Sequence, residues 1–200
     1  MKAPHRLTVI CATVFALAAP QIISQTAQAY PPRKPLTVTS DSNLLQSGSG
    51  KANLRIRNAC PAAARVVVNG RGYKSVNASR GYGSFTFGPV KPGKYVVVVK
   101  SCKEEASVVI YVPGALIIPQ KHIVKRKLSI YIKYLPDGSV VTFQLGGKRL
   151  TSVAPSRPND AGLARISLPA NTLKLGKNSV AFVVGTRIKI PAAIRGIAAP

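Results

Sequence analysis

The chain reads as an all-β protein built from two tandem β-sandwich domains behind a cleaved leader. Three observations predict this. Runs of four to eight β-branched and aromatic residues recur between Gly, Pro, Asn and Asp turn signals, the pattern of a sandwich or barrel. Beyond the first thirty residues the apolar spacing is period 2, with no helical period of 3.6. The order of strand and turn signals in residues 54–76 and 83–101 then returns in residues 128–153 and 164–186, as a duplicated seven-strand unit would produce.

The leader comes first. Lys2, His5 and Arg6 precede an apolar run over residues 7–19, Pro20 ends it, and Ala27-Gln28-Ala29 supplies small residues before Tyr30. This is the layout of a secretory signal peptide over residues 1–29. The run falls short of the roughly 20 apolar residues a membrane span needs, so the mature chain is expected outside the cytoplasm, with no transmembrane segment. Residues 30–50, rich in Pro, Ser and Gly, read as a flexible lead-in, although Leu36-Thr37-Val38-Thr39 alternates as an edge strand does.

The first β-domain is placed at residues 51–113. Leu54 and Ile56 alternate with Arg55 and Arg57. Val66-Val67-Val68 runs into Asn69-Gly70, the strongest short hairpin signal. Ser84-Phe85-Thr86-Phe87 alternates before Gly88-Pro89, Pro92-Gly93 turns the chain into Tyr95 and four valines, and residues 107–112 close the set. A linker over residues 114–126 contains apolar Ala115-Leu116-Ile117-Ile118, a candidate inter-domain strand. The second β-domain is placed at residues 127–191: a strand over residues 128–134, the turn Pro136-Asp137-Gly138, a return over 140–145, the Gly146-Gly147 hairpin, then strands over 163–168, 179–184 and 187–190. Residues 192–200 are left as a C-terminal tail.

The turn chemistry carries a resemblance. Residues 135–141 (Leu-Pro-Asp-Gly-Ser-Val-Val), 159–164 (Asn-Asp-Ala-Gly-Leu-Ala) and 173–180 (Leu-Lys-Leu-Gly-Lys-Asn-Ser-Val), with Pro92-Gly93-Lys94-Tyr95 in the first unit, resemble the tandem Ig-like domains of secreted and surface proteins of Gram-positive bacteria, especially actinobacteria. The resemblance implies an adhesive, spacer or binding role and brings no catalytic residue with it.

Charge narrows the partner. The chain carries 29 Lys and Arg against five Asp and Glu. Removal of Lys2 and Arg6 leaves a net charge of +22, well beyond the roughly 2 to 8 that solubility asks of a small domain. A positive field of that size favours polyanions through steering and counterion release. Outside a cell these are anionic envelope polymers and polysaccharides, with nucleic acid engaged only non-specifically; a surface protein is the alternative partner. Two constellations are expected to make the contact: Arg71, Tyr73, Lys74, Arg80 and Tyr82 around one long hairpin, and Lys121, Lys125, Arg126, Lys127 and Lys133 at the joint. Rings and cations interleaved in this way can stack on sugars and hold acid groups.

Catalysis is not expected. His122 sits among cations, Glu104 and Glu105 are adjacent and diverge on a strand, and Asp137 and Asp160 occupy turn positions that Asp fills for backbone reasons. Nothing has the spacing of a metal or cofactor site. With Cys11 in the leader, Cys60 and Cys102 remain as an even pair in an oxidising compartment and are expected to form a disulfide.

Overall fold

The computed structural model describes residues 34–154 and 162–199; the leader and its cleavage point, and the turn containing Asp160, lie outside them. Seven strands make the N-terminal half: β1 (Thr37–Ser40), β2 (Ala52–Arg57), β3 (Ala63–Val68), β4 (Arg71–Asn77), β5 (Tyr82–Phe87), β6 (Gly93–Ser101) and β7 (Glu104–Val112). Among the described residues eight follow: β8 (Gly114–Ile117), β9 (Lys121–Ile123), β10 (Leu128–Lys133), β11 (Val141–Leu145), β12 (Lys148–Val153), β13 (Ala164–Leu168), β14 (Gly176–Val184) and β15 (Ile188–Ile197).

The first half stacks β1-β2-β5 on β4-β3-β6-β7, and the second stacks β8-β10-β13 on β12-β11-β14-β15-β9. The second order is the first repeated, with β9 added beside β15. Even that strand has a counterpart: Leu44 makes a parallel bridge to Tyr111 on β7, as β9 lies parallel to β15. In each half the chain crosses between sheets after the second, fourth and fifth of the shared strands. This is the topology of an Ig-like β-sandwich.

Alternation along each strand sets the two cores. On β2, Ala52, Leu54 and Ile56 point inward and Asn53, Arg55 and Arg57 outward. The first core collects Leu54, Ile56, Val66, Phe85, Phe87, Val97, Val99 and Ile110; the second collects Ile130, Ile132, Phe143, Ile166, Phe182 and Ile194. Leu44 belongs to the first half by chain order yet packs against the second core. At the junction a side chain on Gly114 would meet the Pro92 ring, its Cβ 2.5 Å from Pro92 Cβ.

Three expected boundaries are corrected. Part of the lead-in is structural: β1 pairs along β2, Leu36, Val38 and Leu45 enter the first core, and Leu36 N–H donates to Glu104 at 2.7 Å. The linker over residues 114–126 contains β8, paired with β10, and β9, paired with β15. The tail is the end of a ten-residue strand, with Ile194 fully buried. Pro191, which marks a strand end in the sequence, is tolerated because β9 joins only at Arg195; on that side Pro191 has no ladder partner to disappoint.

The two halves close the turn before β6 and β14 in equivalent ways. The sequences there are Lys91-Pro92-Gly93-Lys94-Tyr95 and Lys174-Leu175-Gly176-Lys177-Asn178. Tyr95 Oη donates to Lys91 O at 2.8 Å, a tyrosine-corner bond. Four residues past Lys174, buried Asn178 accepts from Lys174 N and donates to Lys174 O, with further bonds to Gly176 O and Ile194 O. Asn178→Ala is therefore expected to cost about 1 to 3 kcal/mol in urea unfolding, since the buried Ile194 carbonyl and three part-buried backbone groups lose partners together. Burial pushes the Tyr95 phenol up, and Tyr134 adds to it. The stability this represents is complete below about pH 10 and is lost as the phenol ionises at higher pH.

Candidate functional site

The Asn69-Gly70 pair turns β3 into β4 with positive φ at both residues, 48° and 80°, as a two-residue hairpin of matching twist requires. β4 is then the edge of its sheet, and the chain crosses to β5 in the other sheet. The sandwich is open along that crossing. A groove of about 960 Å³ results, walled by Arg55 and Arg57 from β2, Lys74 and Asn77 from β4, and Tyr82 and Ser84 from β5. Pairing fixes the rows on its β2–β5 wall: Arg55 stands opposite Ser84, and Arg57 opposite Tyr82. The two arginines, two residues apart on one face, are about 7 Å from each other. Gly83 brings β5 close to β4, since a Cβ there would lie 3.0 Å from Asn77 O.

No described carboxylate reaches this groove. Asp41 accepts from the backbone and side chain of Asn53, Glu104 holds Leu36 N, Glu105 pairs with Lys100, and Asp137 lies in the turn after β10. Arg55 and Arg57 thus present their charge to solvent, and exposed Lys74 shares its cation only with aromatic rings.

The expected contact residues divide. Lys74 and Tyr82 share the groove, and Tyr82 is 65% exposed. Tyr73 does not line the groove and stays 45% exposed: its ring packs 5.8 Å from Phe87 and 6.5 Å from Phe85, with Lys74 Nζ above it and above Phe85. Arg71 begins β4 at the hairpin tip and Arg80 sits in the turn before β5, so both flank the groove without lining it. The second constellation separates as well. Lys121 is on β9, and Lys125, Arg126 and Lys127 lie between β9 and β10. Lys133 ends β10, about 20 Å of strand from Lys127. His122 Nε2 lies 3.0 Å from Arg126 O and orders that turn.

No family model matches the sequence, and no curated protein does. Solved structures similar to it include the adhesin InvE of Yersinia pseudotuberculosis, 11% identical with a TM-score of 0.32 over 80% of this chain and 58% of that one. Invasin, a bacterial integrin-binding protein, is 14% identical with a TM-score of 0.33 over 84% of this chain and 40% of that one. The D0-D1 domain of intimin is 15% identical with a TM-score of 0.32 over 82% and 97%. The chain therefore spans about 58% of the InvE chain and 40% of the invasin chain.

Arg55 and Arg57 complete the groove although neither is among the expected contact residues. Their alternation with Leu54 and Ile56 was the available signal. What brings them to Lys74 is the crossing from one sheet to the other, which no local pattern records.

The Cys60–Cys102 disulfide is present, with Cα atoms 6.2 Å apart. It ties the β2–β3 connection to the β6–β7 turn. Among the described residues no group of three His, Cys, Asp or Glu side chains is placed to hold a metal, and no helix is long and apolar enough to cross a membrane.

Proposed function

We propose that the protein is a secreted, non-catalytic Ig-like binding module of the tandem kind exported by Gram-positive bacteria, and that it adheres to anionic cell-envelope polymer through the β4–β5 groove. The observation that carries this reading is the convergence of Arg55, Arg57 and Lys74 on one open groove beside exposed Tyr82, with every described carboxylate placed elsewhere. A concave basic wall with a ring at its rim suits a charged chain that passes through rather than a small molecule enclosed on all sides.

The test is retention of the oxidised protein on isolated envelope over a salt series. Binding should fall linearly in log salt, and replacing Arg55, Arg57 and Lys74 together by Gln should flatten that slope by about 2 to 3, each lost contact removing roughly 0.7 to 0.9. Retention that ignores salt would refute the reading.

One observation favours a second reading, an adhesin engaging a single protein partner. On the outer face of β6 and β7, Val96 stands opposite half-buried Val109, with Val96 36% exposed. If that face makes the contact, the triple Gln variant keeps full binding.

A further inference from the structure

The larger sheet of the C-terminal half carries an arrangement that folding alone disfavours. Lys177 on β14 is the cross-strand partner of Arg195 on β15, and Arg195 is the partner of Lys121 on β9. All three are exposed and project from the same face. Neighbouring strands lie about 4.8 Å apart, so three cations stand in one row about 10 Å long. Like charges directly opposite one another destabilise a sheet. The ordinary remedy is an interleaved carboxylate, yet among the described residues the one ion pair is Lys100–Glu105, in the other half.

Beside the row the surface is hollowed. Gln120, Gly176, Lys177, Ala193 and Arg195 line a depression of about 410 Å³. A shallow trough of about 430 Å³ continues along β14 and β15 over Ser179, Ala181, Pro191 and Ala193, with Gln144 at its side and Lys189 at its far end. The floor is flat, small and uncharged, while the two glutamines and the serine offer donors and acceptors together.

We propose that this face is a second anion site, separate from the β4–β5 groove, and that it takes a segment of acidic polysaccharide. The acid groups meet Lys121, Arg195 and Lys177, sugar rings lie along Ala181, Pro191 and Ala193, and hydroxyls bond Gln144 and Ser179. Pyranose rings present apolar C–H faces suited to such a floor. Nucleic acid is the poorer occupant, because single-stranded bases are held by aromatic stacking and no aromatic ring lines this trough.

The row's self-repulsion supplies a test that a structural role does not mimic. In the full oxidised chain, Lys177→Gln, Arg195→Gln and Lys121→Gln should each raise Tm by about 1 to 3 °C, the size of a relieved like-charge pair in a chain of this length. Each should also weaken binding of a polygalacturonate or heparin oligosaccharide several-fold. Gain of stability with loss of binding is the signature of a site held against its own stability. Unchanged glycan affinity overturns the proposal, and so does a fall in Tm. Linear polyphosphate that competes as well as unlabelled glycan overturns the polysaccharide assignment. The Arg55→Gln/Arg57→Gln/Lys74→Gln variant should retain this site, so failure of the groove reading and failure of this one give different results.

Discussion

Removing the Cys60–Cys102 bridge, as Cys60→Ala/Cys102→Ala or by reduction, is expected to destabilise the N-terminal half by about 4 kcal/mol, the chain-entropy value for closing a loop of this length. The two cysteines are 42 residues apart, and the loop between them contains β3, β4, β5 and β6, more than half of the strands of that sandwich. Freed, those strands regain denatured-state freedom that the bridge removes. Local bonding partly holds the site together: Cys60 N donates to buried Ser101 Oγ at 2.8 Å. The C-terminal half joins the equivalent connections with a backbone bond, Gly185 N to Val140 O at 3.0 Å, and gains nothing from oxidation. Two cores then predict two transitions in guanidinium, of which reduction should move only one. A single transition that shifts as a whole would show that the halves unfold together, against a division into two domains. A loss below about 1 kcal/mol would mean that the reduced chain keeps the loop closed.

The fold class was legible because its signals are local. Alternation on β2, the Asn69-Gly70 turn and the valine run of β6 each announce a strand within a few residues. The repeat was legible too, since turn residues mark the same order twice. The ends were legible only in part. The alternation of Leu36-Thr37-Val38-Thr39 announced β1, but Leu45 lies beside Ser and Gly and its burial depends on a surface far along the chain. β9 is three residues of parallel pairing with β15, and parallel pairing leaves no hairpin turn to read. The basic residues were visible as types, but their grouping follows register. Lys121 joins Lys177 and Arg195, far from it in sequence, and parts from Lys133, its near neighbour along the chain.

Phe182→Ala should cost about 3 to 5 kcal/mol, the range for deleting a large buried ring. Phe182 is fully buried on β14, its ring 5.5 Å from that of Phe143 on β11. Its backbone stands opposite Phe143 on one side and Ile190 on the other. The cavity therefore opens at the centre of the sheet, where β11 and β15 cannot close over it without breaking register. The consequence reaches the surface, because β14 and β15 also carry Lys177 and Arg195. At denaturant concentrations where the variant half unfolds, glycan binding to that face should be lost while envelope retention through Arg55, Arg57 and Lys74 persists. Leu44 decides how cleanly the two separate. It enters the second core from the first half, so Leu44→Ala in the Phe182→Ala background should add less than in wild type, its packing surface being already loosened. Full additivity would mean that Leu44 contributes to the second core independently of the Phe143–Phe182 centre. A cost for Phe182→Ala below about 1.5 kcal/mol would mean that the core repacks, and the rigid register on which the three-cation row depends would then lack its support.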